Sequence, residues 1–152
     1  MSETPQLTEY ERAKLRKDLA NLRRVIAEHV DWNRAHDAGL DSISHPLDPI
    51  ITERADPERN LALVAIAMNE QEDTSYLGLV SAGLLEDIFF MENDVPIPLL
   101  KRIEAEARRN PRFCWMLSGM YTTSFKPEFR AMVESFTRGI SLDDPLPPLI
   151  TQ

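Results

Sequence analysis

The eight residues from Leu61 to Met68 carry no polar side chain. Wound into a helix, they are apolar on almost every side, and such a helix persists only with neighbours all around it. That requirement constrains this chain more than any other feature, because the other segments must each offer an apolar face to the same central element. Asp56-Pro57 supplies a start signal, an N-cap acid followed by proline in the first turn. A buried β-strand is the rival reading of so short an apolar run. Ala62, Ala65 and Ala67 together with the cap favour helix.

The remaining segments read as the helices that surround it. Thr8 and Glu11 form a capping box, and Leu15, Leu19, Leu22 and Ile26 follow at spacings of four, three and four. This predicts one long helix through Trp32 to Ala38, stopped by Gly39, with room for a break near Val30. Residues 40–55 hold Pro46 and Pro49 and read as a loop with a short turn at Ile50–Arg54. Asp73 or Thr74 opens a short helix through Ser81, which Gly83 should break, and Leu84–Glu92 reads as the next. Pro98–Arg109 turns Leu99, Leu100, Ile103 and Ala107 inward. Asn110-Pro111 restarts the chain, with Phe113, Cys114, Met116 and Leu117 on the core and Gly119 as terminator. Lys126-Pro127 opens the last helix, carrying Phe129, Met132, Val133 and Phe136 and ending at Gly139. No segment alternates with period two between hairpin turns. The expectation is an all-α chain, an irregular bundle of about six to seven helices in one domain over residues 1–140. Residues 141–152, with three prolines and no period, form an extended or loose tail.

Composition excludes several classes of function. A net charge of −8 argues against non-specific binding to nucleic acid or to an anionic membrane. Residues 39–98 carry two basic and twelve acidic side chains, and residues 99–126 carry six basic and two acidic, so the two stretches attract each other within one fold. The one cysteine allows no internal disulfide, no apolar stretch is long enough to span a bilayer, and residues 1–6 lack an apolar signal core. A cytoplasmic protein is therefore expected.

No nucleotide-binding or nucleophile-elbow motif is present, and five glycines in all cannot build a phosphate cradle. Thr74–Glu92 has the outline of a helix-turn-helix, but its second half carries Glu86, Asp87 and Glu92 and no basic residue, which disqualifies it as a reader of DNA. His29 and His36 are seven apart, whereas zinc ligands on one helix want three or four, and His45 before Pro46 reads as a loop residue. Cys114, between Phe113 and Trp115, reads as a buried small hydrophobe. Neither metal nor cofactor is expected.

Three motifs carry a resemblance. Gly83-Leu84-Leu85-Glu86-Asp87-Ile88, then Ile103-Glu104-x-x-Ala107-x-x-Asn110-Pro111-x-Phe113, then Leu117-x-Gly119-Met120-Tyr121 resemble a family of small bacterial domains of unknown function. The likeness spans roughly residues 60–122. Leu84 stands where that family has proline, and Tyr121 where it has tryptophan. The resemblance implies a helical fold and no particular chemistry. The residues themselves explain the first motif as a helix start: Gly83 as N-cap, Glu86 reaching back to its N–H, and Asp87 at the positive end of the helix dipole.

The expected function is that of a non-enzymatic interaction protein of the bacterial cytoplasm, acting through a helical surface. One version is an immunity or antitoxin-like protein that masks a basic partner. Its contact surface would involve Glu86, Asp87 and Phe90. Ile88 to Met91 place four apolar side chains in about one turn, and Phe90 shares a side with Glu86, which suggests the edge of a homodimer interface. Leu15, Leu19, Leu22 and Ile26 offer a second, coiled-coil-like route to a dimer. The rival is an enzyme whose site is assembled from Glu86, Asp87, Arg102 and Glu104.

Overall fold

The structure, a computed structural model, describes residues 7–37, 57–89 and 95–149. The fold is all-α, and the described residues contain no strand. Helix α3 (Pro57–Glu70) is the centre. Asn60 through Met68 are buried without interruption, as a helix apolar all round requires. Around it lie α1 (Glu9–Leu15), α2 (Leu19–Asp37), α4 (Thr74–Val80) and the segment that continues α4. Helices α6 (Ile97–Arg109), α7 (Pro111–Leu117) and α8 (Pro127–Thr137) complete the bundle. The starts follow the sequence closely. Thr8 and Glu11 form the reciprocal capping box, Asp73 accepts from the amides of Ser75 and Tyr76, and the Asn110 side chain accepts from that of Arg112. Asp56, the expected loop and turn within 40–55, the expected stop at Ala38–Gly39, and Phe90 to Asp94 lie outside the described residues.

Three expectations about the elements need correcting. The first helix is not continuous: Arg16 adopts an extended conformation (ψ 141°), and α2 begins afresh at Leu19. The Asp18 carboxylate holds the Arg16 side chain at 3.3 Å across the break, while α2 runs on through Val30. The break has a packing reason. It turns Glu9 and Ala13 to the interior and releases Leu15, which is 71% exposed, so the four-residue leucine stripe is divided. Leu22 and Ile26 are buried in the chain's own core, which removes the coiled-coil route to a dimer.

Second, Gly83 breaks nothing. The chain passes from α4 through a π-helical segment, Ser81–Leu85, directly into α5 (Glu86–Ile88), and Phe89 forms the following turn. The π turn absorbs the irregularity that the glycine had suggested would end the helix. Leu84, Leu85 and Ile88 are thereby all buried, and Phe89 packs against Phe125 and Phe129 at ring distances of 5.5 and 5.7 Å.

Third, the tail is extended but not loose through Leu149. Leu142 and Leu146 pack on the core, and the carbonyls of Asp144 and Pro147 accept from the Trp115 indole (3.1 Å) and from Arg112 Nε (2.8 Å). Leu142 lies so close to Gly119 that a Cβ there would stand 2.8 Å from its Cδ1 and 3.0 Å from Ser81 Cβ. Gly119 is thus required by close approach, not only as a helix terminator.

The charge imbalance between the two middle stretches resolves into named contacts. Arg102 pairs with Glu58, and Arg112 pairs with Glu72 at 3.2 Å. No helix of the described residues is long and apolar enough to cross a membrane.

Candidate functional site

Helix α1 is a seven-residue wedge whose faces divide the surface. Its buried edge is Glu9 and Ala13, one turn apart. The Glu9 N–H donates to Glu106 Oε1 on α6 (3.0 Å), and its carboxylate lies 3.7 Å from Arg102 on the same helix. Burial pushes the Glu9 carboxyl above the ordinary carboxylate range, although the guanidiniums of Arg102 and Arg12 pull the other way. A concavity opens on each side of this edge.

On one side Thr8, Tyr10, Glu11 and Lys14 face Asn69, Glu106, Arg109, Asn110 and Leu149 across a cleft of about 410 Å³. Beside it the Tyr10 hydroxyl donates to Glu70 (2.6 Å), which Arg23 also grips at 2.7 Å. Burial raises the Glu70 carboxyl, but Arg23 and the Tyr10 hydroxyl outweigh it and hold it below the ordinary value. Lys14 Nζ sits 4.4 Å from the centre of the Tyr10 ring.

On the other side a shallower groove of about 500 Å³ runs between Leu7, Arg12, Glu58, Pro98, Lys101 and Arg102. Leu7 is 46% exposed, and Ile97, next to Pro98 at the start of α6, is 67% exposed. The groove therefore combines the uncovered Leu7 side chain with three basic groups against one carboxylate, in a chain whose net charge is −8.

The residues singled out in the sequence fall in different places. Glu86 accepts from the Tyr121 N–H at 2.6 Å, which ties α5 to the loop after α7. It does not reach back to Gly83; its own N–H is bonded to the carbonyls of Gly83 and Ser81. Burial raises its carboxyl, the Tyr121 N–H lowers it, and neighbouring Asp87 raises it further. Arg102 serves Glu9 and Glu58, whereas Glu104 pairs with Arg108 one turn along α6. Thus Glu86, Arg102 and Glu104 have separate partners, and Phe90 lies outside the described residues. His29 is buried, with Nδ1 3.0 Å from the Tyr76 hydroxyl and its ring stacked on Trp32. Cys114 is buried and donates to the Ala107 carbonyl, and burial raises its thiol, so it has none of the features of a nucleophile. Among the described residues no three His, Cys, Asp or Glu side chains are grouped as a metal site.

Sequence reasoning passed over Glu106 and Arg112, the two charged side chains that α6 and α7 carry into the interior, 4% and 2% exposed. A signal existed for the first. Leu99, Ile103, Glu106 and Asn110 stand at spacings of four, three and four, so Glu106 occupies a core register of α6.

The first and third of the motifs that carried the family resemblance meet in space, and the second supplies the cap of α7. Glu86 binds the Tyr121 amide, Ser81 just before the first motif faces Gly119, and the Asn110 cap starts α7 between them. Their positions are explained by the joint between the π segment and the α7–α8 connection. No curated protein and no solved structure matches the chain. The pattern defining DUF6869, a family of unknown function, covers residues 45–140. The chain therefore belongs to that family of unknown function.

Proposed function

We propose that this protein is a non-enzymatic interaction protein, and that its recognition face is the groove between α1 and the start of α6. The observation that carries the reading is exposed Leu7 in one groove with the basic groups Arg12, Lys101 and Arg102 and with Pro98, whose neighbour in sequence, Ile97, is also large and exposed. Isolated exposed apolar side chains are ordinary on a protein surface. Leu7 in the wall of a charged groove, with exposed Ile97 next to Pro98 of that wall, makes a binding surface with both an apolar anchor and a charge preference. The groove's charge selects a partner segment with an apolar side chain flanked by carboxylates, in place of the basic partner that the net charge alone had suggested. A bacterial cytoplasmic setting fits the single buried cysteine.

A photo-crosslinking amino acid placed at Ile97 or Lys101, in the native host, tests this. Both positions should trap the same protein, and a probe at Glu134 on α8 should not. Lys101→Glu should lower the yield at Ile97 by about tenfold, equivalent to ~1.4 kcal/mol of affinity. Equal trapping at all three positions, or no effect of the charge reversal, would remove the groove as the recognition face. Trapping of a second copy of this chain would replace a foreign partner with self-association.

A further inference from the structure

The cleft on the opposite side of α1 has a different chemistry, centred on Glu106. Its carboxylate is 4% exposed, yet the amide of Glu9 is its one hydrogen-bond donor among the described residues, on Oε1. No Lys, Arg or His of the described residues lies within ion-pair distance of it. A buried carboxylate accepts about four hydrogen bonds and is expensive to leave without a countercharge. Glu9, on its other side, adds negative charge and is itself served by Arg102. Glu106 Oε2, which takes no donor among the described residues, meets the cleft that Glu106 lines, and a carboxylate so placed favours a cation with several N–H donors.

The rest of the lining completes the pattern. Lys14 places an exposed ammonium over the Tyr10 ring at the same cleft. The Asn69 amide nitrogen donates to the Ala65 carbonyl (2.8 Å), which leaves its side-chain oxygen as a further acceptor. A buried anion, an amide acceptor and two cations, Lys14 and Arg109, lining about 410 Å³ match a molecule that carries both charges.

We infer that this cleft binds a small α-amino-acid-like zwitterion, its ammonium on Glu106 and its carboxylate toward Lys14. The ammonium gives Glu106 a countercharge that no described residue supplies within ion-pair distance, and a charge-assisted bond to a buried carboxylate is the strong contact of such a site. The site stands independently of the groove proposed as the protein-recognition face.

Thermal unfolding of the intact protein with each common free amino acid in turn tests the inference. At a hundredfold excess over Kd the bound amino acid should raise Tm by about 5–10 °C. Its N-acetyl derivative, which has no ammonium, should give no shift, and its carboxamide should give a smaller one. Glu106→Gln should abolish the shift, Lys14→Met should weaken it at least severalfold, and Lys101→Glu in the other groove should leave it intact. Should Glu106→Gln fail to fold, the N-acetyl comparison and Lys14→Met on folded protein decide alone. The inference is overturned if no free amino acid raises Tm, if the N-acetyl form binds as well as its parent, or if Glu106→Gln or Lys14→Met retains the full shift.

Discussion

Replacing Arg112 by methionine keeps an unbranched apolar stem and removes the guanidinium with its hydrogen bonds. The guanidinium is 2% exposed and donates to the carbonyls of Pro147 (2.8 Å), Met68 (2.9 Å) and Gln71 (3.4 Å), and to both oxygens of Glu72. Met68 and Gln71 lie at the C-terminal end of α3, where carbonyls lack intrahelical partners, so Arg112 caps the central helix and fastens the tail to it. Glu72 is 70% exposed, and a pair with so open a carboxylate contributes at most about 1 kcal/mol. The main effect must come from the carbonyls. The buried Met68 carbonyl left bare costs about 1–3 kcal/mol, and the half-buried Pro147 carbonyl costs less. Arg112→Met should therefore destabilise the fold by about 2–4 kcal/mol, lowering Tm by roughly 4–16 °C in a domain of this size. Urea unfolding followed by circular dichroism gives the difference directly, and Glu72→Gln should change it by about 1 kcal/mol or less. The reasoning fails if Arg112→Met lies within about 1 kcal/mol of the parent, or if Glu72→Gln is as damaging as Arg112→Met.

Other substitutions test the remaining contacts. Glu86→Ala leaves the Tyr121 N–H without its acceptor and should cost about 0.5–1.5 kcal/mol in the same urea assay, whereas Glu86→Gln, which keeps an acceptor oxygen, should cost less than about 0.5. Gly119→Ala drives a methyl against Leu142 and Ser81 and should destabilise by about 1–3 kcal/mol; a neutral result would mean that the tail does not sit against the α7–α8 connection. Glu9→Gln tests the buried carboxyl through pH. Because burial raises its folded-state pKa, the native protein holds this proton more tightly than the unfolded chain, so its contribution is present below the ordinary value of 4.5 and is lost as pH rises through the raised one. Glu9→Gln should consequently gain stability on the parent at neutral pH and lose that gain in acid; a gain confined to acid would reverse the assignment.

The helices and their starts were legible because they rest on local chemistry. An apolar run, an Asx or threonine cap and a proline in the first turn act within one turn of the chain, and α1, α3, α4 and α7 begin where those residues stand. What was not legible depended on other segments. Gly83 has the local character of a terminator, but the surrounding core buries Leu84, Leu85 and Ile88 on one continuous path and the backbone yields by a π turn. Leu15 continues a leucine stripe and is nonetheless exposed, since Glu9 and Ala13 take the interior face of α1. The tail looked loose because prolines give no period, while its anchors, Arg112 and Trp115, lie some thirty residues upstream. For the candidate site, Glu86 was read as reaching back to Gly83, whereas its carboxylate accepts from the Tyr121 N–H, and the two clefts that flank α1 required tertiary packing to exist at all.

The central claim is that the groove between α1 and α6 recognises another protein through exposed apolar side chains and basic groups. Its most direct test is an amide chemical-shift titration of the ¹⁵N-labelled protein with the partner trapped at Ile97. The account predicts shifts concentrated at Leu7, Arg12, Ile97, Lys101 and Arg102, weakened by added salt because Arg12 and Lys101 are exposed. Shifts that bypass this groove, or binding indifferent to Lys101→Glu, would contradict it.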